Sequence, residues 1–296
     1  MTRLSSLQLF SGLVFTVVIL FHFIKPCPFL WANQEQPFVV WFSVVSLYLV
    51  ATFLVASSSD PGTVTREPVR PEVHPLSSRK VTINGVEVYE IWCHTCWLYR
   101  SPRGSHCRVC DRCVKVFDHH CKWVNNCIGA QNYCYFLHFL TALFLHSVNS
   151  IALVSVYAVK LHAAGGVFEP LDWVFTAIAA ALHVVNLLNV SKLIWNHVSL
   201  IRRGLTSHEE LRSKYVNSKN PFDAGWKRNF MEACSYRPSD PFGTEGTVGT
   251  KDTVDTVEME DEPPAVDFNS STQMMPLTGS LESGRGVKKS WADTKV

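Results

Sequence analysis

Apolar residues are concentrated in four long blocks instead of following the short period of an amphipathic helix or strand. The blocks cover residues 7–24, 38–56, 135–159 and 171–200. A helix needs roughly 20 apolar residues to cross about 30 Å of hydrocarbon, so blocks of this length indicate a membrane. The pattern predicts a polytopic α-helical membrane protein with four transmembrane helices.

The first block lies near the start of the chain, where a cleaved signal peptide would also place an apolar run. The sequence Lys25-Pro26-Cys27-Pro28 follows it in place of a small-residue cleavage site, and the second block comes soon after. These flanks favour a retained signal-anchor helix.

Positive charge is distributed unevenly around the four blocks. Segments 26–37 and 162–170 contain neither Lys nor Arg, whereas the segment between the second and third blocks is rich in both. Because Lys and Arg near span ends stay in the cytosol, that segment is predicted to be cytosolic. Four spans then put both termini in the cytosol of a multi-pass protein of an endomembrane (ER or Golgi) or the plasma membrane.

Polar segments separate these blocks and predict the domain organisation. Asn84-Gly85, between β-prone flanks, predicts a short hairpin, and the Ser-, Thr-, Gly- and acid-rich end of the chain predicts disorder. The predicted segments are spans one and two (1–56), a cytosolic linker with an Asp-Pro-Gly turn and the hairpin (57–92), a small cytosolic two-zinc cysteine-rich domain between spans two and three (93–134), spans three and four (135–200), a cytosolic C-terminal domain (201–237) and a disordered tail (238–296).

Residues that can bind metal are dense in the predicted cytosolic segment. Thiolate and imidazole are the ligands of tetrahedral zinc, and two cysteines spaced as Cys-x2-Cys can bind one ion from a tight turn. In a reducing cytosol this spacing favours zinc over disulfides. The candidates, enough for two closed Cys3His sites, are Cys93, Cys96, His106, Cys107, Cys110, Cys113, His120 and Cys127.

One cysteine remains after eight ligands are assigned. Cys121 follows His119 and Asp118 directly, and a thiol with a nearby imidazole base and a carboxylate to orient it has the parts of a nucleophile. The structural alternative makes every one of these residues part of a zinc module. That module would be a membrane-anchored adaptor that recruits partners without covalent chemistry. A third and weaker alternative treats the four spans as a channel or transporter.

At this point the sequence resembles a known family, the DHHC protein S-acyltransferases (palmitoyltransferases). The resemblance is carried by the run from Cys93 to Phe136 and by three shorter motifs outside it. These are Asp60-Pro61-Gly62, Thr206-Ser207-His208-Glu209, and Asn220-Pro221-Phe222-Asp223 with Asn229. The similarity extends from the second block to about residue 230.

The resemblance implies roles that spacing alone leaves open. It implies an acyl-accepting nucleophile at Cys121, with His119 as its base and Asp118 orienting the base. It also implies a division of the zinc ligands into Cys93, Cys96, His106 and Cys113 at one site and Cys107, Cys110, His120 and Cys127 at the other. The chain departs from the family pattern at Ser101 and Lys122, where Pro is usual, and at Ser207, where the second Thr is usual.

The implied reaction moves a long-chain acyl group, such as palmitoyl, from acyl-CoA through an enzyme thioester to cysteines of cytosol-facing proteins. Trp123 is placed by sequence near the reacting thioester, although an interfacial Trp needs no further role. The expected partners are acyl-CoA, the lipid bilayer and proteins with membrane-proximal cysteines. The terminal Thr294-Lys295-Val296 resembles a PDZ ligand. A net charge of +2 gives no reason to expect nucleic acid.

Overall fold

Within the part of the chain that the structure describes, three helices of the computed structural model are long and apolar enough to cross a membrane. The structure describes residues 17–69, 75–163 and 170–235. The three helices are α3 (Gln36–Ser58), α4 (Tyr133–Ala163) and α5 (Pro170–Arg202). They correspond to the second, third and fourth apolar blocks and make the chain a membrane protein with three candidate spans.

The first apolar block lies only partly within the described residues. Residues 17–24 are helical (α1) and are followed by α2 (Pro26–Ala32). Together they form an apolar helical region that is shorter than the three candidate spans. Four spans therefore stay a prediction.

The long helices pack in chain order, α3 against α4 and α4 against α5. Large apolar side chains on their outer faces stay exposed, including Leu47 (70%), Leu188 (67%) and Trp195 (71%). Exposed apolar surface of this kind suits hydrocarbon and not water. The helices also enclose an apolar cluster that reaches Cys121 and contains Leu49, Ala56, Val124, Ile128, Tyr133, Phe136, Phe139, Leu140, Ala142 and Ile201.

Among the described residues between α3 and α4, eight short strands form three small antiparallel sheets. Their orders are β1-β6-β5, β2-β3-β4 and β7-β8. The strands are β1 (Thr63–Val64), β2 (Ser78–Ile83), β3 (Val86–Cys93), β4 (Leu98–Arg100), β5 (Ser105–Cys107), β6 (Arg112–Val114), β7 (Phe117–Cys121) and β8 (Asn126–Gly129).

The predicted Asn-Gly hairpin is confirmed as the pair β2–β3. Ile83 pairs with Val86 across the turn. Asn84 and Gly85 both have positive φ, 51° and 74°. Two consecutive residues with positive φ make the turn whose twist matches that of paired strands.

The Asp-Pro-Gly turn joins α3 to the strand region. The Thr63 backbone N–H and hydroxyl both donate to Asp60 Oδ1, at 3.1 and 2.6 Å, and the Lys115 N–H donates to the Gly62 carbonyl at 2.9 Å. A Cβ on Gly129 would lie 2.3 Å from the Pro61 carbonyl oxygen. Glycine at 129 therefore lets this turn lie directly on β8.

Two short helices follow α5. The first, α6 (Ser207–Leu211), begins at a capping box formed by Thr206 and Glu209. The second is α7 (Trp226–Ser235). The predicted disordered tail from residue 238 and the PDZ-like terminus lie outside the described residues.

Candidate active site and metal centres

The eight predicted zinc ligands lie in two groups of four. Within each group all four donor atoms lie within 4.8 Å of one another. One group is Cys93, Cys96, His106 and Cys113, and the other is Cys107, Cys110, His120 and Cys127. The structure thus brings together the two interleaved sets that the family resemblance implies, which spacing alone did not give.

Cross-strand pairing explains the interleaving. His106 lies opposite Cys113 in the β5–β6 hairpin, and His120 lies opposite Cys127 in the β7–β8 hairpin. Directly opposite residues in an antiparallel pair point to the same face with their side chains close together. Each hairpin therefore supplies one His–Cys pair, and a Cys-x2-Cys turn from the preceding segment supplies the other two thiols.

Both groups fit tetrahedral zinc by chemistry and by the orientation of their histidines. His106 Nδ1 lies 3.4 Å from Cys96 Sγ and 3.7 Å from Cys113 Sγ. His106 Nε2 points the other way, 3.5 Å from an Asp111 carboxylate oxygen, which is the usual arrangement behind a metal-bound imidazole. Three thiolates and one imidazole close a structural zinc site. Both clusters could hold a metal ion.

Strand alternation separates the nucleophile candidate from the zinc ligands. Successive side chains along a strand point to opposite faces, so His119 and Cys121 of β7 face away from His120. Cys121 is 6% exposed and belongs to the apolar cluster at one end of α3 and α4. The thiol therefore lies where the strand region meets the candidate spans.

Asp118 and His119 form a directed pair beside this thiol. The His119 Nδ1–H donates to Asp118 Oδ2 at 2.7 Å, and the carboxylate is 4% exposed. Nε2 is then the ring nitrogen left for the thiol, and the His119 and Cys121 side chains are hydrogen-bonded. The arrangement is that of a nucleophile, a base and a group that orients the base.

The electrostatics of the three groups favour a negatively charged Cys121 thiolate beside a positively charged His119 imidazolium. Burial raises the pKa of Cys121, but the hydrogen bond with His119 and the backbone N–H groups of Val124 and Trp123 outweigh it and lower that pKa below its ordinary value. Burial lowers the pKa of His119, yet Asp118 and Cys121 together raise it to about 9. Thiolate and imidazolium are mutually stabilised here.

A contact that the sequence did not predict holds the other oxygen of Asp118. The backbone N–H of Ser207, the first residue of α6, donates to Asp118 Oδ1 at 2.8 Å. Burial raises the pKa of Asp118, but His119, His197 and this N–H keep it below the ordinary value. The carboxylate is thus charged and held at both oxygens.

The start of α6 is itself anchored to the strand region by a buried ion pair. Arg103 donates to both carboxylate oxygens of Glu209, at 3.0 and 2.7 Å, and to the Gly204 carbonyl at 2.9 Å. The Glu209 side chain is 1% exposed. Planar bidentate pairing of this type fixes orientation as well as charge. The Thr206–Glu209 motif therefore aims the Ser207 N–H at Asp118.

Sequence reasoning also missed a group of buried rings around His119. The Phe136 ring lies 5.2 Å from the rings of both His119 and His197, and the Tyr133 hydroxyl hydrogen-bonds His197 Nδ1 at 2.9 Å. His197 is 2% exposed. The available signal was His197 itself, inside the fourth apolar block, because polar groups at membrane depth need a partner.

Two asparagines attach the active-site hairpin to the end of α3. The Asn126 side-chain NH2 donates to the Ala56 and Ser59 carbonyls, while its Oδ1 accepts from Arg112 at 2.9 Å. Asn132 donates to the Ser59 carbonyl at 3.4 Å and to the Cys127 carbonyl at 2.9 Å. These bonds satisfy carbonyls that a helix end leaves unpaired and fix the hairpin relative to α3.

The remaining predicted positions lie around the site. The Trp123 side chain is 65% exposed, and it is the backbone N–H of Trp123 that contacts the Cys121 thiol. The Ser101 hydroxyl donates to the Lys115 carbonyl, a bond that the usual proline could not make. Lys122 stands between Cys121 and Trp123 and is exposed.

The family model for the DHHC palmitoyltransferase matches residues 87–214, which include both metal clusters, Cys121 and the α6 motif. The chain belongs to the DHHC palmitoyltransferase family. This family match explains why two zinc-type clusters, a buried thiol and three candidate spans occur together. It also gives the chain a membrane-bound setting.

Curated relatives agree with this family assignment. The chain is 38% identical over 210 residues to palmitoyltransferase ZDHHC8 of Homo sapiens, covering 69% of this chain and 27% of that protein. It is 32% identical over 237 residues to ZDHHC8 of Drosophila melanogaster (78% and 24%). It is 37% identical over 220 residues to ZDHHC5 of Bos taurus (72% and 30%). The chain thus spans less than a third of these relatives.

Proposed function

We propose that this DHHC palmitoyltransferase family member is a protein-cysteine S-acyltransferase that works in two steps through an acyl-enzyme. The observation that carries the proposal is the hydrogen-bonded series Asp118–His119–Cys121, buried where the strand region meets the helices. A thiolate beside an oriented imidazolium is an activated nucleophile.

In the first step His119 Nε2 takes the proton of the Cys121 thiol. The thiolate then attacks the thioester carbonyl of a long-chain acyl-CoA such as palmitoyl-CoA. The new bond joins Cys121 Sγ to the acyl carbon, the bond to the CoA sulfur breaks, and CoA leaves as a thiol after protonation from His119. One thioester replaces another, so positioning and proton transfer supply the acceleration.

In the second step a cysteine of a cytosol-facing protein attacks the Cys121 thioester. His119 accepts the proton of the incoming thiol, the acyl carbon moves to the substrate sulfur, and Cys121 regains its proton. Asp118 keeps the imidazole oriented and charge-balanced through both steps. Substrates with cysteines close to the membrane fit a site at the end of α3 and α4.

The two Cys3His groups would hold two structural zinc ions, which supply folding free energy on the order of 10 kcal/mol each. Cys93, Cys96, His106 and Cys113 would bind one ion. Cys107, Cys110, His120 and Cys127 would bind the other. All four protein ligands of each ion come from this chain, so zinc would hold the β7–β8 hairpin and not contact the acyl group.

The membrane arrangement follows from the charge pattern and the helices. Four spans would place the strand region and both termini on the cytosolic side. An acyl chain among the helices leaves water at a gain of about 0.8 kcal/mol per methylene, which favours long chains. Trp123 would lie at headgroup level.

The experiment that tests the proposal is transfer to a cysteine-containing acceptor peptide in two separate stages. Purified protein is first exposed to labelled palmitoyl-CoA, freed of unreacted donor, and then given the acceptor. Label that is hydroxylamine-sensitive on the protein and moves to the peptide supports both steps. Label that never leaves the protein restricts the proposal to self-acylation.

A matched set of cysteine variants locates the nucleophile. Cys121→Ser should abolish labelling while both Cys3His groups keep their zinc. Cys134→Ser should label like the wild type, because Cys134 belongs to neither metal group. Equal labelling of wild type and Cys121→Ser would contradict the proposal, and unlabelled but zinc-loaded wild type would favour an adaptor.

A further inference from the structure

Three histidines from three different helices meet inside the bundle, away from the acyl-transfer site. His22 lies in α1, His146 in α4 and His183 in α5, and their exposures are 0%, 0% and 2%. The proposed reaction uses none of them. An ionisable side chain buried at membrane depth is costly, and several together indicate a binding role.

Ring contacts bring the three residues into one group with His183 at its centre. The His183 ring centroid lies 5.2 Å from that of His22 and 5.7 Å from that of His146. Imidazoles bound to one tetrahedral ion, with metal–nitrogen bonds near 2.0–2.1 Å, have centroids roughly 5 Å apart. The Phe42 ring closes one side, 5.5 Å from both His22 and His146.

Two ring nitrogens of the group have no hydrogen-bond partner among the described residues. These are Nε2 of His22 and Nε2 of His183, both fully buried. The His22 Nδ1–H donates to the Val18 carbonyl at 2.6 Å, which leaves the lone pair on Nε2. A buried lone pair without a partner is unfavourable in hydrocarbon, and a bound ion removes that penalty.

The layer around the group is polar as well. Ser46 Oγ lies 3.4 Å from His146 Nδ1, Ser150 Oγ lies 3.5 Å from His146 Nε2, and the Asn186 amide donates to Ser147 Oγ at 2.8 Å. This layer separates two apolar clusters, one reaching Cys121 and one containing Phe42 and Leu153. Hydroxyl and amide dipoles here offset part of the charge of a cation.

We propose that His22, His146 and His183 form a third metal site, which binds one transition-metal ion of the class that neutral imidazole prefers, zinc or copper. The donor atoms of this third site are all nitrogens, whereas each Cys3His group offers three thiolates and one imidazole. Their nitrogens lie farther apart than the donors of those two groups. Binding therefore rotates the rings toward one point and ties α1, α4 and α5 together.

The test counts metals in full-length protein purified with an affinity tag that contains no histidine. Elemental mass spectrometry measures bound zinc and bound copper separately. The measurement is made before the protein is equilibrated with each ion and again after the excess ion has been removed. The wild type should hold three equivalents, and His22→Phe and His183→Gln should each hold two. His138→Gln is the matched control, an exposed histidine of α4 that should keep three.

The absorption spectrum of a cobalt-substituted sample shows which donor atoms bind the ion and whether each variant is folded. The two Cys3His sites give intense thiolate-to-cobalt bands, and these should be equal in all variants if the protein is folded. The third site adds weaker bands without thiolate character, which the His22→Phe and His183→Gln variants should lose. Two equivalents in the wild type, or three in both variants, would overturn the proposal.

Discussion

Asp118 is the residue on which the geometry of the active site depends most. Its two oxygens accept from different parts of the chain, Oδ2 from His119 and Oδ1 from the Ser207 backbone. The first bond fixes the ring and its tautomer, and the second fixes the carboxylate. A buried carboxylate used in this way orients the base and balances its charge.

Replacing Asp118 with Asn should slow acyl-enzyme formation by about 100-fold or more, because the amide neither balances the imidazolium nor enforces the tautomer. Single-turnover labelling with palmitoyl-CoA measures this rate, and zinc content checks that the domain is intact. An unchanged rate in zinc-loaded Asp118→Asn would show that His119 needs no orienting group.

Ser207 offers a test of the backbone contact alone. Ser207→Ala should label within about twofold of wild type, since only the N–H contacts Asp118. Ser207→Pro should label about tenfold more slowly, because it removes a donor to a charged group. Proline is compatible with this position because Ser207 is the first residue of α6, where proline is common. The preceding residue, Thr206, already has the extended backbone that a following proline requires, with φ −90° and ψ 159°.

The contrast between these two variants is the informative result. Equal rates for Ser207→Ala and Ser207→Pro would mean that the N–H does not support the carboxylate. A slow Ser207→Ala would instead give the hydroxyl a role that its contacts in the structure do not show.

Single residues also mark the limit of sequence reasoning. The count of eight ligands and one spare thiol followed from spacing, because Cys-x2-Cys turns are local. The pairing of His106 with Cys113 required the hairpin register, which spacing alone does not fix. The Ser207 contact could not be predicted at all, since a backbone N–H has no signature in the sequence.

Among the elements, α6 is the one that links the C-terminal segment to the active site. It is only five residues long, so its own hydrogen bonds hold it weakly. The capping box and the Arg103–Glu209 pair compensate by fixing its first turn to the strand region. The element is therefore stable only when docked.

Arg103→Ala should destabilise this docking by about 3–5 kcal/mol, because it leaves the buried Glu209 carboxylate unpaired. Arg103→Lys should rescue it only in part, since Lys lacks the bidentate fork. Proteolysis of the 203–235 region and thermal unfolding both report the loss, and acyl-enzyme formation should fall with it.

The chain contains a matched control for Arg103. Arg203 pairs with Glu210 at 2.8 Å in the same region, but both side chains are nearly half exposed. Exposed pairs contribute about 0–1 kcal/mol, so Arg203→Ala should leave docking and labelling close to wild type. If Arg203→Ala destabilised the docking of α6 as much as Arg103→Ala does, burial of the Arg103–Glu209 pair would not explain its role.

Elements that depend on local chemistry were predicted well. The Asn-Gly hairpin and the second, third and fourth apolar blocks all appear in the structure near their predicted positions. The docking of α6 was not predicted, because it joins residues 89 positions apart. Such contacts are set by the tertiary fold and not by local propensity.

On the scale of the whole molecule, we expect the strand region to depend on bound metal more than on apolar burial. Its apolar clusters are small and consist largely of the metal-group cysteines themselves. The proposed zinc ions would supply the folding free energy that so little apolar burial does not. The long helices contribute most of the apolar cluster that reaches Cys121, so we expect their helical structure to depend less on metal.

Removing zinc with a strong chelator should therefore abolish acyl-enzyme formation and expose residues 87–129 to protease, while α3, α4 and α5 keep their helical signal. Restoring zinc should restore both protection and labelling. Full labelling by protein that has lost both ions would contradict a structural role for zinc.

The most direct test of the account is the mass of the intact protein after a single turnover. The protein is mixed with palmitoyl-CoA in the absence of acceptor, the reaction is quenched, and the intact mass is measured. Proteolytic digestion then identifies the modified peptide. The account predicts one acyl group per chain, on Cys121, removable by hydroxylamine and lost when an acceptor cysteine is added. An acyl group on any other cysteine, with Cys121 unmodified, would contradict it.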